Sequence, residues 1–205
     1  MGAGQYDIFL VKLSGANGAH LWSKRFGSTG DDDGYSIAVD SSNNVILTGD
    51  FSGTVNFGGG SFTSAGSSEV FLAKYSGVDG SHLWSKAFSC SGGSSGLGVA
   101  VDKSTNNIVI TGSAQGTTDF CGGPVSIPSQ SIFIAKYSSI GSYLWAKKFT
   151  AVTFNATGEG VAIDGGGNAL VTGEFQGTVD FGGGPQMSAN GASYIYDIFL
   201  VKFGQ

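Results

Sequence analysis

The sequence predicts an all-β protein built from repeated four-stranded antiparallel units, and three observations support this fold class. Short runs rich in Val, Ile, Phe, Tyr and Thr alternate with clusters of Gly, Ser, Asn and Asp, which is the pattern of strands separated by turns. Charged residues make up only 12% of the chain, and Gly contributes 36 of its 205 residues, so long helix-forming runs are missing. The strand-like runs also recur at a fixed interval.

The repeat interval is 62 residues, and self-similarity at a fixed period indicates a repeat architecture. Two sets of equivalent residues keep this spacing: Phe9, Phe71 and Phe133, and Asp40, Asp102 and Asp164. Each complete unit holds four strand-like runs, which we name A to D. In the copy that ends at Ser89 these runs read SIAVD, NVILTGDF, VFLAKY and HLWSKAF.

The links between the runs predict how the four strands pair. Runs A and B are joined by DSSNN, DKSTNN or DGGGN, whose residues form local hydrogen bonds and tolerate positive φ, as a hairpin requires. Runs C and D are joined by a second Gly-containing turn. Run C is apolar on both faces, as expected of a sheet covered on both sides, and run A carries a small residue, Ala38 in one copy. Such a unit is a blade of a β-propeller.

The order of the runs along the chain is C–D, A–B–C–D, A–B–C–D, A–B–C. We therefore expect residues 1–205 to form a single propeller segment, in which 7–27 and 151–205 are incomplete blades and 28–89 and 90–150 are complete ones. A closed propeller needs about 4 to 8 blades, which three blade-equivalents do not provide. The alternative fold is a β-trefoil, which closes with three four-stranded units in one chain.

The open edges of the incomplete blades predict self-association, because unpaired strand edges promote pairing with another chain. We expect a homodimer in which the C–D strands of one chain complete the A–B–C strands of the other, giving a six-bladed ring. A second interpretation is that the chain is a fragment of a larger propeller of seven or eight blades.

A family resemblance accompanies this pattern. The segment GYSIAVDSSNNVILTGDFSG, followed by EVFLAKYSGVDGSHLWSKAF, resembles the bacterial SBBP-type β-propeller repeat and is similar to NHL-type blades with an insertion between B and C. The resemblance implies a secreted or cell-surface bacterial protein whose leader is absent from this chain. It brings no catalytic residues with it.

Composition excludes several function classes. The formal net charge is −5 and no Lys/Arg cluster exists beyond single pairs, so a nucleic-acid partner is not expected. No run approaches the ~18 apolar residues of a membrane span, and the first residues lack the features of a signal peptide. No nucleophile and base are marked as a pair, and no cofactor motif is present. We therefore predict a non-catalytic binding or structural module without a cofactor.

The long B–C and D–A connections share one end of the predicted blades, and loops on a rigid scaffold carry function more often than the scaffold itself. Aromatic side chains on or beside these loops could stack on sugars, which gives a lectin-like alternative, or they could pack against the insertion. A glycan or a protein is the ligand expected at this end. The candidates are Phe62, Phe154, Tyr194 and Tyr196.

Two further candidates lie in the same loops. Asp31, Asp32 and Asp33 are weak candidates for a hard-cation site, although the other copies lack the acids and a solvated acidic loop is the simpler interpretation. Cys90 and Cys121 fall at the same end of neighbouring blades, so they are either a disulfide or two free thiols.

Each of the three tryptophans lies in run D, the outermost strand of a blade. One ligand could not stack on all of them, so we predict that they pack at the blade edges. Aspartates at the end of run A are expected to cap the A–B turns and to pair with the lysines of run C. The residues concerned are Trp22, Trp84 and Trp145, and Lys12, Lys74, Lys136 and Lys202.

Overall fold

The computed structural model describes residues 4–151, 155–189 and 195–204, and the regular structure in these ranges is β-strand, numbered β1 to β17 in chain order. Two complete sheets of four antiparallel strands lie in the middle of the chain. Blade II consists of β3 (Asp32–Val39), β4 (Val45–Phe51), β7 (Glu69–Tyr75) and β8 (His82–Phe88). Blade III consists of β9 (Gly93–Val101), β10 (Ile108–Asp119), β11 (Pro124–Tyr137) and β12 (Tyr143–Phe149).

The terminal blades hold fewer strands. Blade I is a pair, β1 (Ile8–Leu13) with β2 (His20–Phe26). Blade IV has three strands, β13 (Ala156–Ile163), β14 (Ala169–Phe175) and β17 (Asp197–Phe203), in the order β13-β14-β17. The all-β propeller class is confirmed, and the β-trefoil alternative is wrong, because the two central sheets are four-stranded blades that stack face to face with each other and with the terminal blades.

The insertion between strands B and C forms a hairpin of its own. It appears as β5 (Thr54–Asn56) with β6 (Ser61–Thr63) in blade II, and as β15 (Thr178–Asp180) with β16 (Pro185–Met187) in blade IV. In blade III the same hairpin continues β10 and β11 past a register shift between Ala114 and Gly116. The hairpin turns are capped alike, because Oδ1 of Asn56, Asp119 or Asp180 accepts hydrogen bonds from two backbone amides of the turn.

The blades stack through apolar cores that follow one rule. We call the face of a blade that lies towards the preceding blade in the chain its front face, and the opposite face its back face. Alternate residues of each strand point to opposite faces, so one strand C supplies both neighbouring cores. In blade II, Val70 and Leu72 enter the core shared with blade III, while Phe71, Ala73 and Tyr75 enter the core shared with blade I.

The aspartates of strand A close the A–B turns, as predicted. In blade II, Asp40 Oδ1 accepts hydrogen bonds from the backbone amides of Ser42 and Asn44, at 2.9 and 2.8 Å. Its other oxygen lies 2.9 Å from Nζ of Lys74, in a pair that is almost wholly buried. The predicted capping and charge-pairing roles are therefore confirmed for this turn.

The tryptophans connect neighbouring blades. Trp22 Nε1 of blade I donates to the carbonyl oxygen of Gly77 in the C–D turn of blade II, at 3.4 Å, and Trp84 Nε1 donates to Ser139 O of blade III, at 3.3 Å. The ring of Trp22 also lies against Gly80, where an added Cβ would come within 3.0 Å of it and where φ is +71°. Glycine fits this turn for both reasons. The predicted packing role of these tryptophans is confirmed, with a partner in the following blade.

Candidate functional site

The three consecutive aspartates do not converge on one point. Asp32 is buried, and its carboxylate accepts hydrogen bonds from the backbone amides of Ser28 and Ser52, at 2.5 and 3.3 Å. Asp33 is the cross-strand partner of Asp50, and Asp31 is exposed. Across residues 4–151, 155–189 and 195–204, no three His, Cys, Asp or Glu side chains are grouped as metal ligands would be.

The two cysteines are free thiols in the structure, which is the second of the two predicted alternatives. Cys90 is buried in a bridge with Thr118, where its Sγ donates to Gln115 O at 3.0 Å and accepts from Thr118 Oγ1 at 3.1 Å. Cys121 is exposed at the turn of the insertion hairpin, with a φ of +72°. The hydrogen bonds within blade III therefore hold the Cys90 thiol in place.

The four aromatic candidates for sugar stacking differ in burial and packing. Phe62 is partly buried and packs against Phe57, with ring centroids 6.2 Å apart, so its ring belongs to the insertion hairpin. Tyr196 is 47% exposed. Phe154 and Tyr194 lie outside the described residues. The lectin-like alternative thus stays a prediction that rests on Tyr196 among the described aromatics.

One histidine makes a contact that sequence reasoning missed. His82 Nε2 lies 3.0 Å from Ser85 Oγ, a pairing that in another setting activates a nucleophile. Here the imidazole packs against the insertion hairpin, so closely that a Cβ added at Gly59 would lie 2.3 Å from the ring. Tyr143 fills the equivalent place in blade III and accepts a hydrogen bond from the amide of Ala146. Because an unreactive tyrosine serves there equally well, the contact of His82 is structural.

A second group missed from the sequence lies at the long-loop end of blade II. Asp33 and Asp50 are directly opposed across β3 and β4, and Tyr35 interacts with both. Burial raises the pKa of Asp50 to about 6, the charge of Asp33 adds to this shift, and the nearby hydroxyl groups of Tyr35, Ser95 and Ser68 oppose it, although Asp50 Oδ1 is buried without a hydrogen-bond partner among the described residues. Burial, together with the two carboxylates, also raises the pKa of Tyr35 to about 12. The A–B register read from the turn alone would place Gly34 opposite Asp50, and the register shift between Gly34 and Ser36 brings Asp33 there instead, so the turn gives no signal for this pair.

The front face of blade I is apolar and uncovered. Phe9 is 75% exposed, whereas its counterparts Phe71 and Phe133 are fully buried by the preceding blade. Val11 and Leu13 continue this face along β1. Beside them lies a cavity of about 440 Å³, which Val11, Leu13, Ile37 and Val39 line in part. Ile37 is 59% exposed because the described strands of blade I, β1 and β2, do not cover it, while its counterpart Val99 in blade III is 7% exposed.

The back face of blade IV is the second uncovered surface. Ile198 and Leu200 are 88% and 74% exposed, although the equivalent residues Val70 and Leu72 of blade II are fully buried. Among the described strands, β17 has β14 as its single neighbour in the sheet and its other edge is unpaired, whereas β7 and β11 each have two neighbours. Cavities of about 430 and 610 Å³ run along this edge.

Lys202 marks the same back face. It forms an ion pair with Asp164, at 2.7 Å, in a setting where the two side chains are 57% and 28% exposed. The equivalent pair of Lys74 and Asp40 is only 8% and 2% exposed. The next blade buries the pair of Lys74 and Asp40 and also accepts a hydrogen bond from it, since Lys74 Nζ donates to Ser139 O of blade III at 3.0 Å.

These features define a segment of a β-propeller with an open blade at each end, and two comparisons agree with this class. The SBBP β-propeller repeat family matches residues 21–50. The chain is 26% identical over 238 residues to an uncharacterized WD repeat-containing protein, L264, of Acanthamoeba polyphaga mimivirus. That alignment covers 96% of this chain and 17% of the viral protein, so the chain spans about a sixth of its length.

These findings identify a protein of β-propeller repeats. The bacterial source, the NHL relation and the cell-surface location stay predictions. In the described ranges, no helix is long and apolar enough to cross a membrane.

Proposed function

We propose that the chain is a non-catalytic binding or structural propeller module that self-associates as a homodimer through its two open terminal blades. The observation that carries the proposal is the contrast between equivalent residues of strand C. Phe9, Ile198 and Leu200 are 74–88% exposed, while Phe71, Val70 and Leu72 at the same positions of blade II are fully buried. An exposed apolar patch of this kind marks an interaction surface.

The energetics favour association. Burying one large apolar side chain contributes roughly 1.5–3 kcal/mol, and a junction between the open faces would cover several of them, which amounts to on the order of 10 kcal/mol per junction. Lost translational and rotational freedom costs about 4–15 kcal/mol, and it is lost once for a pair of chains. A closed dimer forms two junctions, so the second adds its burial without that cost. The side chains of the two open faces are Phe9, Val11, Leu13, Ile198 and Leu200.

A catalytic role has little physical support within the described residues. The His82–Ser85 contact is a packing feature of the insertion hairpin, and burial lowers the pKa of His82. The Asp33–Asp50 pair is part of the blade sheet, where its counterparts in blade III are Ser95 and Ser113. The propeller repeat and the WD-repeat relative support a scaffold in which binding surfaces carry the function.

The test is the molar mass of surface variants, measured by light scattering across a range of concentrations. Ile198→Asp places a charge on the back face of blade IV and is expected to give a monomer. Ile198 is 88% exposed, so the variant should keep the wild-type circular dichroism and melting temperature at low concentration. Ile140→Asp is the matched control, because Ile140 is 75% exposed on the C–D turn of blade III, away from both open faces.

Two results would contradict the proposal. One is a wild-type chain that stays monomeric at every concentration, in which case the open faces serve further blades of a longer polypeptide. The other is an Ile198→Asp variant that dimerises as well as Ile140→Asp.

A further inference from the structure

The covered junctions of the molecule share one pattern. At each of them a pair of aliphatic residues from the back face of strand C packs in the same core as an aromatic-led triad from the front face of the next strand C. The pairs, in chain order, are Ile8 with Leu10, Val70 with Leu72, and Ile132 with Ile134. The triads that receive them are Phe71, Ala73 and Tyr75; Phe133, Ala135 and Tyr137; and Phe199, Val201 and Phe203.

At two of the three covered junctions, a lysine donates a hydrogen bond to the C–D turn of the next blade. Lys12 Nζ of blade I donates to Gly77 O in the C–D turn of blade II, at 2.5 Å, and Lys74 Nζ of blade II donates to Ser139 O in the same turn of blade III. In both cases the lysine lies on the back face, and the acceptor is the second residue after strand C of the next blade. A junction therefore consists of a back-face pair with its lysine and a front-face triad with its turn carbonyl.

Each terminal blade presents one uncovered half of such a junction, a back face in blade IV and a front face in blade I. Blade IV presents a back-face pair and lysine, Ile198, Leu200 and Lys202. Blade I presents a front-face triad, Phe9, Val11 and Leu13, followed by a C–D turn in which Gly15 holds the acceptor position. The back face of blade IV and the front face of blade I together supply all the parts of a covered junction, whereas two copies of the same face do not. A back-to-back pairing would oppose two Lys202 side chains and leave both triads exposed to water.

We infer that two copies associate head to tail, with the back face of blade IV packed on the front face of blade I of the second copy, and with Lys202 Nζ donating to Gly15 O across the junction. This inference rests on the proposed homodimer and adds the identity and direction of its contacts. It keeps β17 paired with β14 over its whole length, as observed from Ala169–Phe203 to Phe175–Asp197. Two copies, each with blades I to IV, then bring eight blades to the ring, within the range that propellers adopt.

The six-bladed ring expected from the strand count has a different junction. There β1 of one copy would take the place of β17 beside β14 of the other, so that each composite blade would have four strands. The register of β4 with β7 would then be repeated, which puts Val11 opposite Val171, as Ala73 lies opposite Leu47. Stacking and strand exchange thus predict different neighbours for the same two chains.

Chemical cross-linking tests this with pairs of chains that each carry one introduced cysteine, while the native Cys90 is buried. The background carries Cys121→Gly, which removes the exposed thiol and restores the residue found at the equivalent turn positions Gly58 and Gly182. One chain carries Lys202→Cys and the other Gly15→Cys; a Cβ on Gly15 meets no atom within 4 Å, so the fold should tolerate it. A mixture of the two is treated with a short bifunctional maleimide and examined on a denaturing gel.

The mixture is expected to give a band at twice the 20.8 kDa of one chain, whereas neither variant alone should cross-link to itself. The matched control replaces Lys202→Cys with Lys148→Cys, on the exposed strand D of blade III, and should give no dimer band. Strand exchange is tested with Val11→Cys and Val171→Cys chains that are refolded together and then oxidised to a disulfide, because Val171 is fully buried and out of reach of a maleimide in the folded chain.

The outcomes separate the two proposals. A wild-type chain that never dimerises overturns the homodimer itself. A dimer in which Lys202→Cys alone cross-links to itself, in which Val11→Cys joins Val171→Cys, or in which the mixture of Lys202→Cys and Gly15→Cys gives no band, overturns head-to-tail stacking and leaves self-association standing.

Discussion

The central blades and the terminal blades carry nearly the same residues at equivalent positions, yet their surfaces differ sharply. Phe71 and Phe133 are fully buried, while Phe9 is 75% exposed. The Lys74–Asp40 pair is covered by the next blade, and the Lys202–Asp164 pair faces solvent. The apolar faces of a blade are thus buried only when neighbouring blades cover them, as expected of a repeat protein in which each unit contacts its nearest neighbours. The function we propose follows from that difference, because the faces at the two ends carry apolar side chains that no other described strand covers.

The largest effect is expected from truncating the same phenylalanine in the two settings. Phe71→Ala removes a ring that is fully buried and stacked on Phe57 at 4.4 Å, so it should lower the free energy of unfolding by about 3–5 kcal/mol. Phe9→Ala should change the unfolding of the monomer by less than ~0.5 kcal/mol. Urea titration at a concentration where the monomer prevails measures both. Equal losses at the two positions would remove the contrast between central and terminal blades.

The ion pairs give the second comparison. In Asp40, burial favours a raised pKa, but hydrogen bonds from Lys74 and Asn44 outweigh it and hold the pKa below its ordinary value. Asp40→Asn leaves the buried Lys74 without its partner and should cost about 3 kcal/mol, measured by denaturant titration. For Asp164→Asn at the exposed pair we expect little loss, since solvent screens it. A large loss at Asp164 would show that blade IV is covered in solution in a way that the open face does not suggest.

The smallest expected effect concerns pH and Asp50. Its folded pKa is raised to about 6, so between pH 4 and 6 the unfolded chain loses this proton before the folded one does. Stability contributed by Asp50 therefore falls as pH rises through that window and remains low above it. Asp50→Asn should remove this dependence and raise stability at pH 7 by on the order of 1 kcal/mol. Melting temperatures of both proteins at pH 4, 5, 6 and 7 provide the measurement, with Asp119→Asn on an exposed turn as the control.

If the melting temperature of Asp50→Asn changes with pH between 4 and 6 as steeply as that of the wild type, Asp50 does not have a raised pKa in solution, and this account of the Asp33–Asp50 pair is wrong.

Much of the architecture could be predicted from the sequence because its signals are local. The 62-residue period, the Asx-rich A–B turns and the doubly apolar strand C indicate blades without any knowledge of what surrounds them. The role of Trp22 and Trp84 at blade edges follows from the outer position of strand D. Their acceptors, Gly77 and Ser139, lie 55 residues further along the chain and appear only when the blades are stacked.

The candidate site could not be derived in the same way. Phe9, Phe71 and Phe133 stand in nearly identical local sequence, so their different exposure depends on which blades are present as neighbours. The acidic pair of Asp33 and Asp50 depends on the register of β3 against β4, where a shift occurs between Gly34 and Ser36. Phe62 was a candidate for sugar stacking because its loop is long, and its packing on Phe57 became visible only with the insertion hairpin.

The molar mass of the unaltered chain as a function of concentration tests the central claim most directly. Sedimentation equilibrium or light scattering is expected to show a shift from the 20.8 kDa of one chain to twice that mass as concentration rises. A mass of one chain at every concentration, with the fold intact by circular dichroism, would contradict the claim that the open faces of blades I and IV bind a second copy.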